Sequence, residues 1–108
     1  MNEIVITLGD KDKIYSGTNK YQYDYGQTIR VIGNLPEDTI AEITNGISEP
    51  AEAVQIESNL IRIPDKFFAT GKNITVYLTR LNGSERVTLY EISIPVYRRP
   101  KPNTQTGD

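Results

Sequence analysis

The sequence of 108 residues contains no cysteine, no histidine and no tryptophan. Without cysteine there is no disulfide framework, so a chain this short must be held together by core packing or by neighbouring subunits. Cysteine and histidine also supply nearly all structural zinc ligands, and their absence argues against a zinc site. The usual general bases and activated nucleophiles are missing as well. We therefore predict a protein that is not an enzyme and carries neither cofactor nor metal.

The chain also lacks long apolar runs and a strong excess of one charge. No segment approaches the ~20 apolar residues of a membrane-spanning helix, and the first five residues lack the basic and apolar stretches of a secretion signal. Twelve basic and fourteen acidic residues leave a formal charge of −2, which gives little attraction for nucleic acid or an anionic membrane. We expect a chain made in a cytoplasm, with no nucleic acid and no membrane among its partners.

What the sequence does contain is a two-residue alternation of apolar and polar side chains, in short segments separated by turn residues. This pattern is typical of antiparallel β-sheets. It predicts strands near residues 3–8, 21–32, 38–44, 52–57, 60–63, 72–81 and 85–97. The expected fold class is all-β: a single immunoglobulin-like (Ig-like) antiparallel β-sandwich of about seven strands over residues 1–97. An extended C-terminal tail or linker follows over residues 98–108.

The hairpin near the C-terminal end is the best-marked unit of the sequence. Asn82-Gly83 predicts a type I′ turn, because both residue types accept the positive φ that this turn requires. The apolar positions of the returning strand change parity after Leu89, which predicts a β-bulge near Tyr90-Glu91 or a strand that passes from one sheet to the other. Four residues of this hairpin are expected in the core: Ile74, Val76, Leu78 and Ile94.

Three tyrosines precede the second apolar segment at alternate positions. Tyr21, Tyr23 and Tyr25 share parity with Ile29 and Val31, so one long strand would turn all five to the same face. One interpretation is that the tyrosines pack at the core and rim with their hydroxyls in water. The other is an aromatic platform for a partner.

Two further segments are short and irregular. Phe67 and Phe68 are predicted to close one end of the sandwich as a single helical turn, with Gly71 providing a left-handed exit. After residue 97 the composition becomes polar and proline-containing, which favours an extended course.

Acidic residues near turns offer the one candidate for a metal site. Asp10, Asp12 and Asp24 are expected to bond local backbone amides as solvated turn residues. The alternative is calcium, but the interleaved Lys11 and Lys13 would repel a cation.

Five short stretches, taken in their order along the chain, carry a resemblance to a known family. They are Tyr21–Gln27 (YQYDYGQ), Ala41–Gly46 (AEITNG), Ile61–Pro64 (IRIP), Gly71–Tyr77 (GKNITVY) and Arg99–Pro102 (RPKP). Together they resemble the small N-terminal β-sandwich of virion structural proteins in tailed bacteriophages of Firmicutes-type bacteria, over about residues 14–102. The sequence departs from that family at Tyr23, where tryptophan is frequent, and it ends at Asp108 where a fibrous region usually follows.

The resemblance implies a non-enzymatic virion protein, either a capsid decoration or head-fibre protein or a tail-fibre or baseplate attachment module. Its partners would be capsid, tail or baseplate subunits, or further copies of itself. Its location would be the virion, after synthesis in the bacterial host cytoplasm. The residues expected to bind the partner are Tyr21, Tyr23, Tyr25, Arg98, Arg99, Pro100, Lys101 and Pro102.

A carbohydrate- or cell-surface-binding module remains the alternative hypothesis. Tyr21, Tyr23, Tyr25 and Tyr77 would then serve as stacking faces for sugars. An exposed, coplanar pair of tyrosines would favour sugar binding, whereas tyrosines packed under the tail would favour a scaffolding role.

Overall fold

Short strands rich in isoleucine and valine dominate the computed structural model, which describes residues 2–103. In chain order the elements are β1 (Glu3–Thr7), β2 (Lys13–Tyr15), β3 (Lys20–Tyr21), β4 (Thr28–Ile32), β5 (Thr39–Thr44), β6 (Glu52–Gln55), β7 (Leu60–Arg62), α1 (Lys66–Ala69), β8 (Ile74–Asn82), β9 (Glu85–Ile94) and β10 (Val96–Tyr97). The predicted all-β class is confirmed, and the one helix among the described residues lies where the two phenylalanines indicated a helical turn.

The strands form a three-stranded sheet in the order β1-β4-β7 and a five-stranded sheet in the order β2-β9-β8-β5-β6, with β10 and β3 as a separate pair. The arrangement is a sandwich, but its pairing is mixed. β1 with β4, β2 with β9 and β3 with β10 run parallel, whereas the other pairs are antiparallel. Alternation reports which way side chains point, not strand direction, so the sequence alone did not reveal the parallel pairs.

The core lies between the inner faces of the two sheets. One row of β-branched side chains runs across four strands, from Ile43 through Val76 and Ile92 to Ile14. Ile4, Ile29 and the other inner residues of the smaller sheet are buried with them in one hydrophobic cluster. The four residues predicted for the core of the last hairpin are confirmed as fully buried: Ile74, Val76, Leu78 and Ile94.

The predicted strand over residues 21–32 is wrong in its middle. β3 ends at Tyr21 and β4 begins at Thr28, and between them Tyr23 adopts a left-handed φ of 73°. The N–H of Tyr23 donates to the Phe68 carbonyl at 3.1 Å, a bond to a residue distant in sequence that the alternation does not encode. Ile29 is buried while Tyr21 is 49% exposed, so the tyrosines do not share the face of the core residues.

β2 was not predicted. Of its three residues only Ile14 is partly buried, while Lys13 and Tyr15 are exposed. One inward residue is too little for an alternation to be recognised.

The last hairpin has the predicted position but a different turn. Asn82 pairs with Glu85, so the two central residues are Gly83 and Ser84. Among them only Gly83, at 62°, has a positive φ, which is the pattern of a type II′ turn with glycine first. The predicted bulge is present: Leu78 pairs with Tyr90 and Thr79 with Thr88, leaving Leu89 without a partner.

A turn with two positive φ values occurs elsewhere. Ser58 and Asn59 have φ values of 52° and 60°, and Glu57 and Leu60 on either side exchange backbone hydrogen bonds of 3.0 and 2.9 Å. Asn59 also donates through its side chain to the carbonyls of Val31 and Gly33, at 3.0 Å each. Ser58-Asn59 therefore has the two positive φ values that were predicted for Asn82-Gly83. Hydrogen bonds from Asn59 to the end of β4 stabilise this turn.

Replacing Gly83 with valine should lower the free energy of unfolding by about 1 kcal/mol or more, because a β-branched residue is strained at positive φ. A Cβ added at this position meets nothing within 4 Å, so we attribute the cost to backbone strain. Ser84→Val is the matched control and should change the free energy by less than about 0.5 kcal/mol. Urea unfolding measures both, and equal losses in the two variants would contradict the turn assignment.

Candidate functional site

The parallel pair β3–β10 brings the start of the tail beside the tyrosine segment. Tyr21 pairs with Tyr97, and the two rings lie with centroids 5.7 Å apart and planes tilted by 45°. Their exposed fractions are 49% and 48%, so both rings face solvent side by side. We call Tyr21, Gln22, Tyr97, Arg98 and Arg99 the tail-anchor surface.

Gln22 connects this surface to the rest of the fold. Its backbone N–H donates to the Tyr97 carbonyl at 2.7 Å, and its side-chain Nε2 donates to the Ala69 carbonyl at 2.8 Å. Its Oε1 accepts from the N–H of Arg99 at 3.4 Å. One partly buried side chain therefore joins the end of α1 to the first residues of the tail.

Gly71 allows the tail to pass close to the helix end. A Cβ at this position would come within 3.0 Å of Arg98 Cγ and 3.1 Å of Gln22 Cδ. Gly71 also has the predicted left-handed conformation, with φ at 72°. The backbone angle favours glycine here, and a Cβ would also be tight against the side chains of Gln22 and Arg98.

The three tyrosines of the predicted platform divide into two groups. Tyr21 packs against Tyr97, whereas Tyr23 and Tyr25 contact each other edge to face, with centroids 6.3 Å apart and an interplanar angle of 88°. Tyr25 is 46% exposed, and Tyr23 is partly buried with its hydroxyl accepting from Gln22 Nε2 at 3.3 Å. Neither pair is coplanar.

Tyr77, the fourth tyrosine of the sugar-binding hypothesis, lies on another part of the molecule. It is partly buried in the middle of β8, on the outer face of the five-stranded sheet, where its neighbours across the sheet are Glu42 and Glu91. The structure therefore does not bring it together with Tyr21, Tyr23 and Tyr25.

The tail leaves the sandwich in an exposed, irregular course over residues 98–103. Within the described part of the chain, no ion pair involves Arg98, Arg99 or Lys101. Arg99 Nε donates to the carbonyl of Pro100 at 3.1 Å. The positive charges here are available to a partner, and the rest of the predicted tail, residues 104–108, lies outside the described residues.

Sequence reasoning missed Gln22 and Tyr97 because neither belongs to a chemical motif. Gln22 lies inside the stretch that carries the family resemblance, but no spacing rule distinguishes it from a solvated strand residue. Tyr97 ends the last predicted strand, and its contact with Tyr21 depends on the parallel β3–β10 pair. A prediction of that pairing would have found both residues.

The carboxylates singled out in the sequence do not converge. Asp24 Oδ2 accepts the backbone N–H of Tyr21 at 2.9 Å, which confirms its predicted role as a turn residue. Asp10 and Asp12 are exposed in the loop before β2. In residues 2–103 no group of three or more acidic, histidine or cysteine side chains is placed to hold a metal ion.

Within the same residues, no helix has both the length and the apolar character needed to cross a membrane. A comparison with models of known protein families and with curated proteins finds no match to this chain.

Gln22→Ala should lower the free energy of unfolding by about 1–2 kcal/mol, since it removes hydrogen bonds from partly buried groups. It should also speed hydrogen exchange at the Arg99 amide, which loses its acceptor. Gln55→Ala is the matched control, because Gln55 is exposed on an edge strand. Urea unfolding and amide exchange measure the two effects, and unchanged exchange at Arg99 would show that Gln22 does not hold the tail.

Proposed function

We propose that this chain is a non-enzymatic structural module of a tailed-phage virion, which docks on other virion subunits through the tail-anchor surface and the adjoining tail. One observation carries the proposal: an exposed basic tail begins beside two half-exposed tyrosines. Hydrogen bonds of Gln22 and a close approach at Gly71 hold the start of this tail against the domain. The resemblance in the sequence supplies the class of particle. The partners proposed are capsid, tail or baseplate subunits.

The chemistry of this surface suits protein association. Tyrosine offers a large apolar area with a polar tip and loses little conformational entropy on binding. Pro100 and Pro102 restrict the tail before it binds, which lowers the ordering cost. Arg98, Arg99 and Lys101 have no internal carboxylate partner in the described residues, so an acidic receiving surface would attract them.

The small size of this surface is consistent with a repeated particle. A single tyrosine pair and a short tail bury little area compared with a standard stable interface of ~1,600 Å². On a symmetric shell or ring, many copies bind at once, and linked contacts strengthen one another. Weak docking per copy is thus sufficient for stable decoration.

A carbohydrate-binding module remains the second candidate, because Tyr21 and Tyr97 stand side by side in solvent. With a 45° tilt between their planes, the two rings cannot both stack on the same face of a sugar ring. The anchored tail at the border of the pair also has no evident purpose in sugar binding. These two observations favour docking to protein.

Deleting residues 100–108 should leave the melting temperature of the isolated domain within a few degrees of the parent, because the described part of this segment, residues 100–103, is exposed. The copy number of the protein on purified particles should fall sharply. Thermal unfolding and quantification of assembled particles measure the two quantities. Full incorporation of the truncated protein would contradict docking through the tail.

A charge variant distinguishes the electrostatic contribution of the tail from the contribution of its extended conformation. Replacing Arg98, Arg99 and Lys101 with serine keeps both prolines, and it should weaken incorporation and reduce its dependence on salt. Tyr97→Ala tests the aromatic part, with Tyr15→Ala as a control, since Tyr15 is 77% exposed on the edge strand β2. Binding of the parent to isolated cell-wall sugars, lost in Tyr97→Ala, would instead support the carbohydrate hypothesis.

A further inference from the structure

The loop that joins β5 to β6, residues 45–51, carries the most exposed large apolar side chain of the described residues. Ile47 is 99% exposed. Single exposed apolar residues are common on protein surfaces and need no explanation by themselves. Ile47 differs because the loop that presents it is braced by several hydrogen bonds.

Those bonds fix both the loop and its attachment to the sandwich. Thr44 Oγ1 donates to the Gly46 carbonyl at 2.8 Å, and the N–H of Glu49 donates to the same carbonyl at 3.1 Å. The side chain of Asn45 donates to the Phe67 carbonyl at 3.0 Å, which ties the loop to α1. Ile47 is therefore presented on a preorganised support, which lowers the entropy cost of binding through it.

A groove lies directly beside this loop. Its volume is about 380 Å³. Its apolar lining residues are Pro50 and Phe67, and its polar or charged ones are Asn45, Glu49, Glu52, Lys66 and Thr70. The ammonium of Lys66 stands 5.4 Å from the centroid of the Phe67 ring. The same braced loop thus supplies a protruding apolar side chain and one wall of a groove that contains Pro50 and Phe67.

We propose that this edge of the molecule is a self-association surface, on which Ile47 of each copy enters the groove of a second copy. A protruding side chain and a groove on one rigid edge suit a two-fold arrangement, in which each copy contributes both elements. The inference does not rest on the proposed virion function, since it concerns contacts between copies of this chain alone.

Charges of both signs lie around the groove, and within one copy they form two ion pairs. Glu49 pairs with Lys72 at 3.5 Å, and Glu52 pairs with Lys66. Two acidic and two basic groups at this edge let a two-fold neighbour meet opposite charges and exchange ion-pair partners. The small formal charge of the whole chain, −2, adds little long-range repulsion between copies.

The contact is expected to be weak in solution. One apolar side chain and one shallow groove per copy make an interface below the ~1,000 Å² expected of a specific stable complex. A dissociation constant of about 0.1–1 mM is the corresponding expectation. Such a contact matters where copies are held close together, because a tethered partner has a high effective concentration.

The test measures self-association of the purified full chain from ~10 µM to ~1 mM, a range that spans the expected dissociation constant. Sedimentation equilibrium should show a monomer–dimer equilibrium in the parent. Amide NMR signals of residues 45–52 and 66–70 should shift with concentration. Ile47→Ser should weaken dimerisation by at least about tenfold, because two apolar contacts are lost per dimer.

Two further variants keep the result interpretable. Ile32→Ser, at a 46% exposed position on the outer face of β4, is the matched control and should dimerise like the parent. Pro50→Arg places a bulky charged side chain in the groove and should abolish dimerisation while Ile47 remains present. Thermal unfolding of each variant reports whether the fold is retained.

A mixing experiment tests reciprocity. Ile47→Ser keeps its groove and Pro50→Arg keeps its isoleucine, so a mixture of the two restores one of the two contacts. Labelled Ile47→Ser protein should show shifts at its groove residues only when unlabelled Pro50→Arg protein is added. A parent that stays monomeric at ~1 mM, or an Ile47→Ser protein that dimerises like the parent, would overturn the proposal.

Discussion

Packing of isoleucine and valine side chains between two sheets is the interaction on which the rest of the structure depends. The chain has no cysteine and no histidine, so neither a disulfide nor a typical zinc site can add to the stability that core packing provides. Each fully buried aliphatic side chain contributes about 1.5–3 kcal/mol relative to exposure. Strands as short as β2, β3 and β10 persist because their neighbours carry buried residues such as Ile92 and Val96. The loops and the tail take their positions from this core.

The two surfaces that we propose for association are both attached to the four-residue helix α1. Gln22 of the tail-anchor surface bonds the Ala69 carbonyl, and Asn45 of the β5–β6 loop bonds the Phe67 carbonyl. Phe67 and Phe68 are buried, so the helix that receives these bonds is itself fixed in the core. The buried helix thereby also orients Gln22 and Asn45, which belong to the two proposed surfaces.

The sequence predicted those parts of the fold in which neighbouring residues decide the outcome. The alternation at Ile74, Val76 and Leu78 placed the core, and the change of parity after Leu89 placed the bulge to within a residue or two. The prediction failed where contacts with residues distant in sequence determine the backbone conformation. The left-handed Tyr23 is held by the Phe68 carbonyl, and the N–H of Gly26 donates to Asp65 Oδ1 at 2.9 Å. Of the candidate site, the tyrosines and the tail were predicted, while Gln22 and Tyr97 required the parallel β3–β10 pair.

The parallel pairs have a consequence for the order of events during synthesis. β2 pairs with β9 and β3 with β10, and the bond from Arg99 to Gln22 spans 77 residues. Closing so long a loop costs entropy before any contact repays it, and contacts between distant residues slow folding. β2 and β3 must therefore wait for partner strands that are synthesised much later, whereas β1 pairs with the earlier strand β4. The sandwich closes only when almost all of its residues have emerged.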